Sequence, residues 1–226
     1  MLLRFESNDP HRHRRVTLIN SIPAAPLAAA LAAARKPLRV ALRAQRRAVP
    51  PAQRARVAKL IAAHVGRGFH LRSGARVALY ASLPEELDTS ALVALARKRG
   101  WKIYLPRIDH RRRGRSMQFV EMGAVHRTNR LGIREPHGSR TLAARRLDIV
   151  FLPILGFDKH GVRLGTGGGY YDRAFAFRRW RTSWHAPRLI GLAYSFQQLD
   201  SITPAAHDVL LDAVVTEQGI IQCTTG

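Results

Sequence analysis

Residues 147–157 read LDIVFLPILGF, an apolar run with only one charge, Asp148, near its start. A strand with one face in water alternates polar and apolar side chains. A run apolar at consecutive positions has to be covered on both faces, and strands of that kind belong to parallel sheets. This is the strongest strand signal in the chain, and shorter runs repeat it. ARVALYAS (75–82), WKIYLPRI (101–108), MQFVEM (117–122), RLIGLAYS (188–195) and LDAVVTE (211–217) all read as strands.

Helical patterns lie between them. In 35–49 Leu38, Ala41, Leu42 and Ala48 stand among arginines, and Pro37 suits a first helical turn, where its missing N–H is harmless. Residues 51–68 place Val57, Leu60, Ile61, His64 and Val65 on one face, with Gly66 or Gly68 as the stop. His64 reads as a core-edge histidine. Asp88 or Thr89 caps a third helix, whose apolar positions are Leu92, Val93, Leu95 and Ala96 and which ends at Gly100. YYDRAFAFRRW (170–180) reads as a fourth. Strand–helix alternation with such strands predicts an α/β fold, a three-layer Rossmann-like sandwich: a mostly parallel sheet with helices on both faces. Ligands of these sheets bind outside the carboxyl ends of the strands. Three segments sit there: PEELDT (84–89), the glycine-rich stretch after 157, and Tyr194–Gln198.

The glycine-rich stretch is GFDKHGVRLGTGGGYYDR (156–173), in which five of the nine residues from Gly161 to Gly169 are glycine. Glycines let the backbone approach a ligand, and successive N–H groups then form a concave anion nest, aided by the positive end of a following helix. The spacing is neither that of a P-loop, since Thr166 stands where the second glycine belongs, nor that of a dinucleotide fingerprint, since Tyr170 replaces the last glycine. Lys159 and Arg163 add positive charge. Asp172 either holds a divalent cation that bridges phosphates or simply suits the first turn of a helix. Tyr170 and Tyr171 either stack on a flat ring or pack as core.

Composition bounds the partners. The 226 residues suffice for one α/β domain with a full core, and 46% are hydrophobic. One cysteine, Cys223, neither staples the fold nor builds a thiolate zinc site, which points to a reducing, cytoplasmic setting. The formal charge is +23. Such a surface attracts polyanions or is a solvated face. Tight basic runs occur only at HRHRR (11–15) and HRRRGR (110–115), with few aromatics beside them, so a base-stacking platform is not indicated. The first 34 residues differ from the rest: a basic cluster precedes an Ala-rich segment broken by Pro23 and Pro26, too short to span a bilayer. Residues 1–34 therefore read as an extension that is disordered or dispensable, with a signal-like targeting sequence or an ordered part of the fold as the alternatives, and 35–226 as a single domain.

The stretch 156–173 closely resembles the signature of the 5-formyltetrahydrofolate cyclo-ligase family, also called methenyltetrahydrofolate synthetases. Other marks follow in the family's order: RKPLR (35–39), EELDT (85–89), YLPR (104–107), LGIREP (131–136) and AAHDVLLDAVVTE (205–217). The likeness covers roughly Arg35 to Gln218. Two positions depart from the pattern: Arg35 stands where lysine is usual, and Thr166 where a large residue is usual. The second bears on rate more than on reaction class.

The resemblance implies an enzyme that uses ATP and Mg²⁺ to convert 5-formyltetrahydrofolate to 5,10-methenyltetrahydrofolate. It implies that Arg35 and Arg39 contact ATP phosphates. The run Arg163, Leu164, Gly165, Thr166, Gly167, Gly168, Gly169, Tyr170 and Tyr171 is then expected to wrap the triphosphate. Asp172 and Asp208 are expected to hold Mg²⁺, and Glu86, with Thr166 to Tyr170, to bind the folate. His207 and His160 read as loop histidines. The expected partner is a folate, possibly polyglutamated, with no specific nucleic acid and no membrane, and the expected state is a monomer or weak dimer. Two rivals remain at this level. A nucleic-acid-binding protein rests on charge alone, with no recognisable module. Another α/β enzyme would act on a phosphorylated sugar or a coenzyme A ester.

Overall fold

In the apolar run, Ile149 and Phe151 join one buried cluster, whereas Val150 and Leu152 join another on the opposite side of the sheet. The same division separates Ile190 and Leu192 from Leu189, and Ala213 and Val215 from Val214. Successive strand side chains point to opposite faces, so covering both faces leaves no position for a polar residue.

The computed structural model describes residues 24–109, 116–123, 126–128, 134–136, 140–180 and 186–224. The basic runs at 11–15 and 110–115, and 131–133 of LGIREP, lie outside the described residues. In chain order the elements are α1 (Ala24–Ala48), α2 (Pro51–Gly68), β1 (Arg76–Ala78), α3 (Ser90–Lys98), β2 (Lys102–Asp109) and β3 (Ser116–Glu121). Then come β4 (His126–Thr128), β5 (Arg134–Pro136), β6 (Thr141–Leu142), β7 (Ile149–Pro153), β8 (Gly156–Phe157) and β9 (Arg163–Leu164). Last are α4 (Tyr170–Ala174), β10 (Arg188–Leu192), β11 (Ala213–Thr216) and β12 (Gly219–Gln222).

The main sheet has the order β12-β11-β10-β7-β1-β2-β3-β6. Its centre, from β11 to β2, is parallel; β12, β3 and β6 are antiparallel additions at the edges. From β1 the chain moves to β2 on one side. From β7 it moves to β10 and β11 on the other. The order therefore reverses between β1 and β7, and a crevice opens beyond their carboxyl ends. α2 and α3 cover one face through Val57, Ile61, Val65, Leu92 and Ala96. The other face is covered in part by Phe175 and by Tyr171 of α4.

Several elements differ from the pattern read in the sequence. α1 begins at Ala24, so Pro37 lies inside the helix instead of in its first turn, and part of the Ala-rich segment is continuous with the helix of residues 35–48. The long run breaks after Pro153, and β8 and β9 form a separate antiparallel hairpin within the glycine-rich stretch. The expected helix over 170–180 divides into the five-residue α4 and a 3-10 turn over Ala176–Trp180. The third helix starts where expected: Asp88 Oδ1 accepts the Ser90 N–H at 2.9 Å, whereas the Thr89 hydroxyl instead donates to the Tyr80 carbonyl.

Candidate active site

Five segments converge on the crevice. The loop after β1 supplies Tyr80, Leu83, Glu85 and Glu86, and the end of β2 supplies Pro106 and Ile108. The connection after β7 supplies Pro153 and, from the glycine loop, Gly165, Thr166, Gly167 and Gly169, followed by Tyr170, Tyr171 and Asp172. α1 closes the cavity with Arg35, Arg39 and Arg43, and the 201–212 segment adds His207 and Asp208. The cavity measures about 390 Å³, within the range of small-molecule sites. Tyr194–Gln198, the third segment expected at a strand end, does not line it. Gln197 is buried, and its amide donates to the carbonyls of Ile154 and Leu155, so this segment braces the chain after β7.

The position of α1 follows from one residue. Leu42 packs into a small cluster with Leu155, Val162, Leu164 and Ile202, which seats the helix on the β8–β9 hairpin. Burying one such side chain stabilises by about 1.5–3 kcal/mol. With Leu42 down, the arginines at 35, 39 and 43 share the face toward the cavity, because residues four apart on a helix are neighbours. Arg39 Nε donates to the Gly165 carbonyl at 2.9 Å, tying helix to loop. Burial lowers the Arg39 pKa, and the charges of Arg35 and Arg43 lower it further. An anion among these guanidiniums would relieve that crowding.

The hairpin is held by Asp158, which is 1% exposed and accepts the N–H groups of His160, Val162 and Ile202. It delivers the chain to the glycine loop, whose members at 166–168 are exposed and where a Cβ at Gly165 or Gly167 would meet nothing within 4 Å. The loop is open toward the cavity on one side. A second concavity on its other side is lined by Gly168, Arg173 and Arg179. α4 has only five residues, too few for the helix dipole expected to assist the loop. Positive charge comes instead from the arginines of α1.

Lys159 does not line the cavity, and Arg163, which does, has its charge matched within the protein. The buried Arg163 guanidinium pairs with Asp172 and donates to the Val209 carbonyl, and Lys159 is exposed on the hairpin. Leu164 is buried in the cluster beneath α1, away from the cavity. Tyr171 lines the cavity while its ring stacks on Phe175 at 6.4 Å, and Tyr170 lies under the Arg173 guanidinium.

The two aspartates have parallel environments. Asp172 Oδ1 takes both the Arg163 ion pair and the Val209 N–H. Asp208 Oδ2 accepts from Arg35 at 2.7 Å and from the Ala205 N–H at 2.9 Å. Burial alone would raise the Asp208 carboxyl, but the Arg35 and Ala205 hydrogen bonds and the nearby positive charge hold it below its usual range. Among the described residues, the second oxygen of each carboxylate accepts no hydrogen bond. No group of three or more His, Cys, Asp or Glu comes together as a preformed metal cage among the described residues. Asp172 Oδ2 is left open and Asp208 Oδ1 has His207 Nε2 3.9 Å away, an arrangement that suits Mg²⁺, which takes few protein ligands and completes its shell with phosphate and water.

Glu86, from the loop after β1, also lines the cavity and is 8% exposed. Its Oε2 accepts the Leu83 N–H at 3.1 Å. Burial raises its pKa above the ordinary value, with Leu83 and the Arg46 charge opposing and Glu85 reinforcing. Pro106, Ile108 and Met117 give this end of the cavity an apolar lining that the sequence reading did not single out. Arg43 and Arg46 were also missed. The i, i+4, i+8 spacing from Arg35 was the available signal for Arg43; nothing in the sequence marked Arg46 as buried.

The chain matches the model of the 5-formyltetrahydrofolate cyclo-ligase family over residues 32–217. A 5-formyltetrahydrofolate cyclo-ligase of Haemophilus influenzae is 31% identical over 186 residues, covering 80% of this chain and 97% of that protein. The enzyme of the same name from Escherichia coli K12 is 31% identical over 179 residues, covering 77% and 96%. The solution structure of Aquifex aeolicus 5,10-methenyltetrahydrofolate synthetase superposes with a TM-score of 0.71 at 25% identity, covering 85% of this chain and 94% of that one. The match spans every strand but β12, the glycine loop and every residue that brings charge to the cavity, and the chain therefore belongs to the 5-formyltetrahydrofolate cyclo-ligase family.

Proposed function

We propose that this cavity converts 5-formyltetrahydrofolate and ATP to 5,10-methenyltetrahydrofolate, ADP and phosphate. The observation that carries the reading is the lining of one cavity by two kinds of surface. One is an open glycine loop faced by arginines; the other is a buried carboxylate beside an apolar lining. The first suits a triphosphate. The second suits a pterin, whose amino and ring N–H groups offer a matched pair of donors to Glu86.

The formyl oxygen is a poor leaving group as an oxide and a good one as phosphate. It attacks the γ-phosphorus, and ADP departs with the electrons of the broken P–O bond. N10 of the same molecule then attacks the formyl carbon and loses its proton, and phosphate leaves. The ring closure is intramolecular, so proximity does much of the work, and the protein mainly positions the phosphates and neutralises their charge. Arg35, Arg39 and the N–H groups of Gly165, Gly167, Gly168 and Gly169 take the phosphates, with Arg163 and Thr166 to Tyr171 around them and Leu164 anchoring the loop beneath α1. Thr166 to Tyr170 border the reacting end of the folate. Asp172 and Asp208 would hold Mg²⁺, which supplies charge neutralisation at the phosphates. Residues 35–226 form the catalytic domain in this reading, as a monomer or weak dimer in the cytoplasm, and the +23 surface captures ATP and a glutamate tail. No helix among the described residues is long and apolar enough to cross a membrane.

The test follows the near-ultraviolet absorbance of the methenyl product in a mixture of protein, 5-formyltetrahydrofolate, ATP and Mg²⁺. The absorbance rises only with both ATP and Mg²⁺ present. Asp172→Asn, which keeps a hydrogen-bonding partner for Arg163, lowers the rate by about 100-fold or more. No rise from folded, ATP-binding protein would overturn the assigned substrate.

A further inference from the structure

Along α1 each basic residue facing the cavity, or just beyond it, has a partner except one. Arg35 is paired with Asp208, and Arg39 holds the Gly165 carbonyl. Arg46, buried at 3% exposure, reaches toward Glu85 at 3.8 Å, and Arg47 pairs with the same carboxylate at 2.8 Å. Arg43 lines the cavity, half-buried, and makes no hydrogen bond or ion pair among the described residues.

Its place on the helix gives that freedom a meaning. Arg39, which marks the glycine loop, is one turn before it, about 6 Å along the axis; Arg46, which marks the Glu85–Glu86 wall, lies about 4.5 Å beyond. Arg43 is thus set between the phosphate wall and the pterin wall, where the two substrates must meet. Glu85, which lines the same cavity, is already matched by two other arginines, so it does not draw Arg43 away. A half-buried guanidinium with no protein partner, beside a second guanidinium whose pKa it depresses, is poised for an anion.

We propose that Arg43 is a further catalytic residue of this site, whose guanidinium contacts the phosphoryl group as it passes from ATP to the formyl oxygen. The inference rests on the cyclo-ligase reading given above. In the transfer, the formyl oxygen bonds to the γ-phosphorus and the bond to the bridging oxygen breaks, leaving its electron pair on ADP. Charge spreads over the three non-bridging oxygens of the moving group, and a fixed cation at that point stabilises the transition state more than either ground state.

The experiment compares wild type, Arg43→Gln and Arg43→Lys by steady-state kinetics and by titration with a non-hydrolysable ATP analogue. Thermal melting verifies that each variant is folded; with no partner to lose, Arg43 is substituted without harm to the fold. Arg43→Gln lowers kcat by about 100-fold while the dissociation constant of the analogue changes less than about threefold. Arg43→Lys recovers part of the rate, because the charge is kept and the planar fork is lost. A raised KM for ATP with kcat retained would make Arg43 a ground-state anchor and overturn the proposal, as would unchanged kinetics. A wild-type protein that binds the analogue but does not turn over the folate would overturn the cyclo-ligase reading itself, and this inference with it.

Discussion

Gly161 and Gly167 lie six residues apart in the same glycine-rich stretch, and both have positive φ, +80° and +106°. They serve opposite ends. At Gly161 a Cβ would sit 2.5 Å from the Leu211 carbonyl oxygen and 3.0 Å from the Cys223 side chain. The hairpin turn there is packed against β11's approach and leaves no space. At Gly167 a Cβ would meet nothing within 4 Å. The first glycine lets protein approach protein. The second keeps a wall of the cavity bare for something that is not protein. A run of glycines thus holds two devices, a rigid hairpin and an open cradle, and the join falls at Gly165, where Arg39 grips the backbone.

Substitutions separate the two devices by what they damage. The largest effect belongs to the hairpin. Asp158→Ala removes a buried acceptor from three N–H groups, those of His160, Val162 and Ile202. It costs about 4 kcal/mol of stability, since each buried donor left without a partner is expensive. Urea unfolding measures the loss; the folded fraction keeps its KM for ATP within about twofold. Gly161→Ala comes next, at about 3 kcal/mol from left-handed strain plus overpacking against Leu211. Gly167→Ala costs only about 1–2 kcal/mol from strain, yet raises the KM for ATP about tenfold, because the new methyl stands where phosphate oxygens approach. If Gly161→Ala and Gly167→Ala altered stability and KM in the same proportion, the division of the stretch into two devices would be wrong.

How much of this was readable beforehand follows the same division. The central strands were legible because burial on both faces writes itself as continuous apolar sequence. Their order was not, since pairing depends on distant contacts. The hairpin was invisible: β8 and β9 have two residues each, too few to show periodicity. YYDRAFAFRRW contains no glycine or proline, so nothing announced that the helix would tighten to 3-10 after Ala174. The gathering of Arg35, Arg39, Glu86, the glycine loop, Asp172 and Asp208 at one cavity was expected from the family likeness. The sequence marks Arg163 only as a positive charge, because its partners, Asp172 and the Val209 carbonyl, come from folding and not from sequence proximity.

The smallest effect separates the two walls of the cavity by pH. Glu86 is faced by Arg46 from α1, by Glu85 from its own loop, by Tyr80 beyond β1 and by Tyr171 from α4. Burial dominates and raises its folded-state pKa above the ordinary 4.5. A carboxyl raised in this way binds more protons folded than unfolded, so its ionisation opposes folding. Stability falls as pH climbs from the ordinary value through the raised one, and is level above it. Glu86→Gln removes the ionisation while keeping an acceptor for the Leu83 N–H. The variant therefore gains stability relative to wild type as pH rises across that window, and the difference vanishes in acid. The KM for the folate rises about tenfold, as a charged hydrogen-bond acceptor is replaced by a neutral one, while the KM for ATP stays put. Denaturant titrations at several pH values, beside kinetics with each substrate varied in turn, measure both effects. A parallel rise in both KM values would show that Glu86 serves the whole cavity and not one wall of it. In the opposite direction, Asp208 has its carboxyl held low by Arg35 and Ala205, so its contribution to stability is present at neutral pH and is lost only as pH falls through that depressed pKa. The two walls should thus respond to pH with opposite sign, one strained by the charge it presents and the other secured by it.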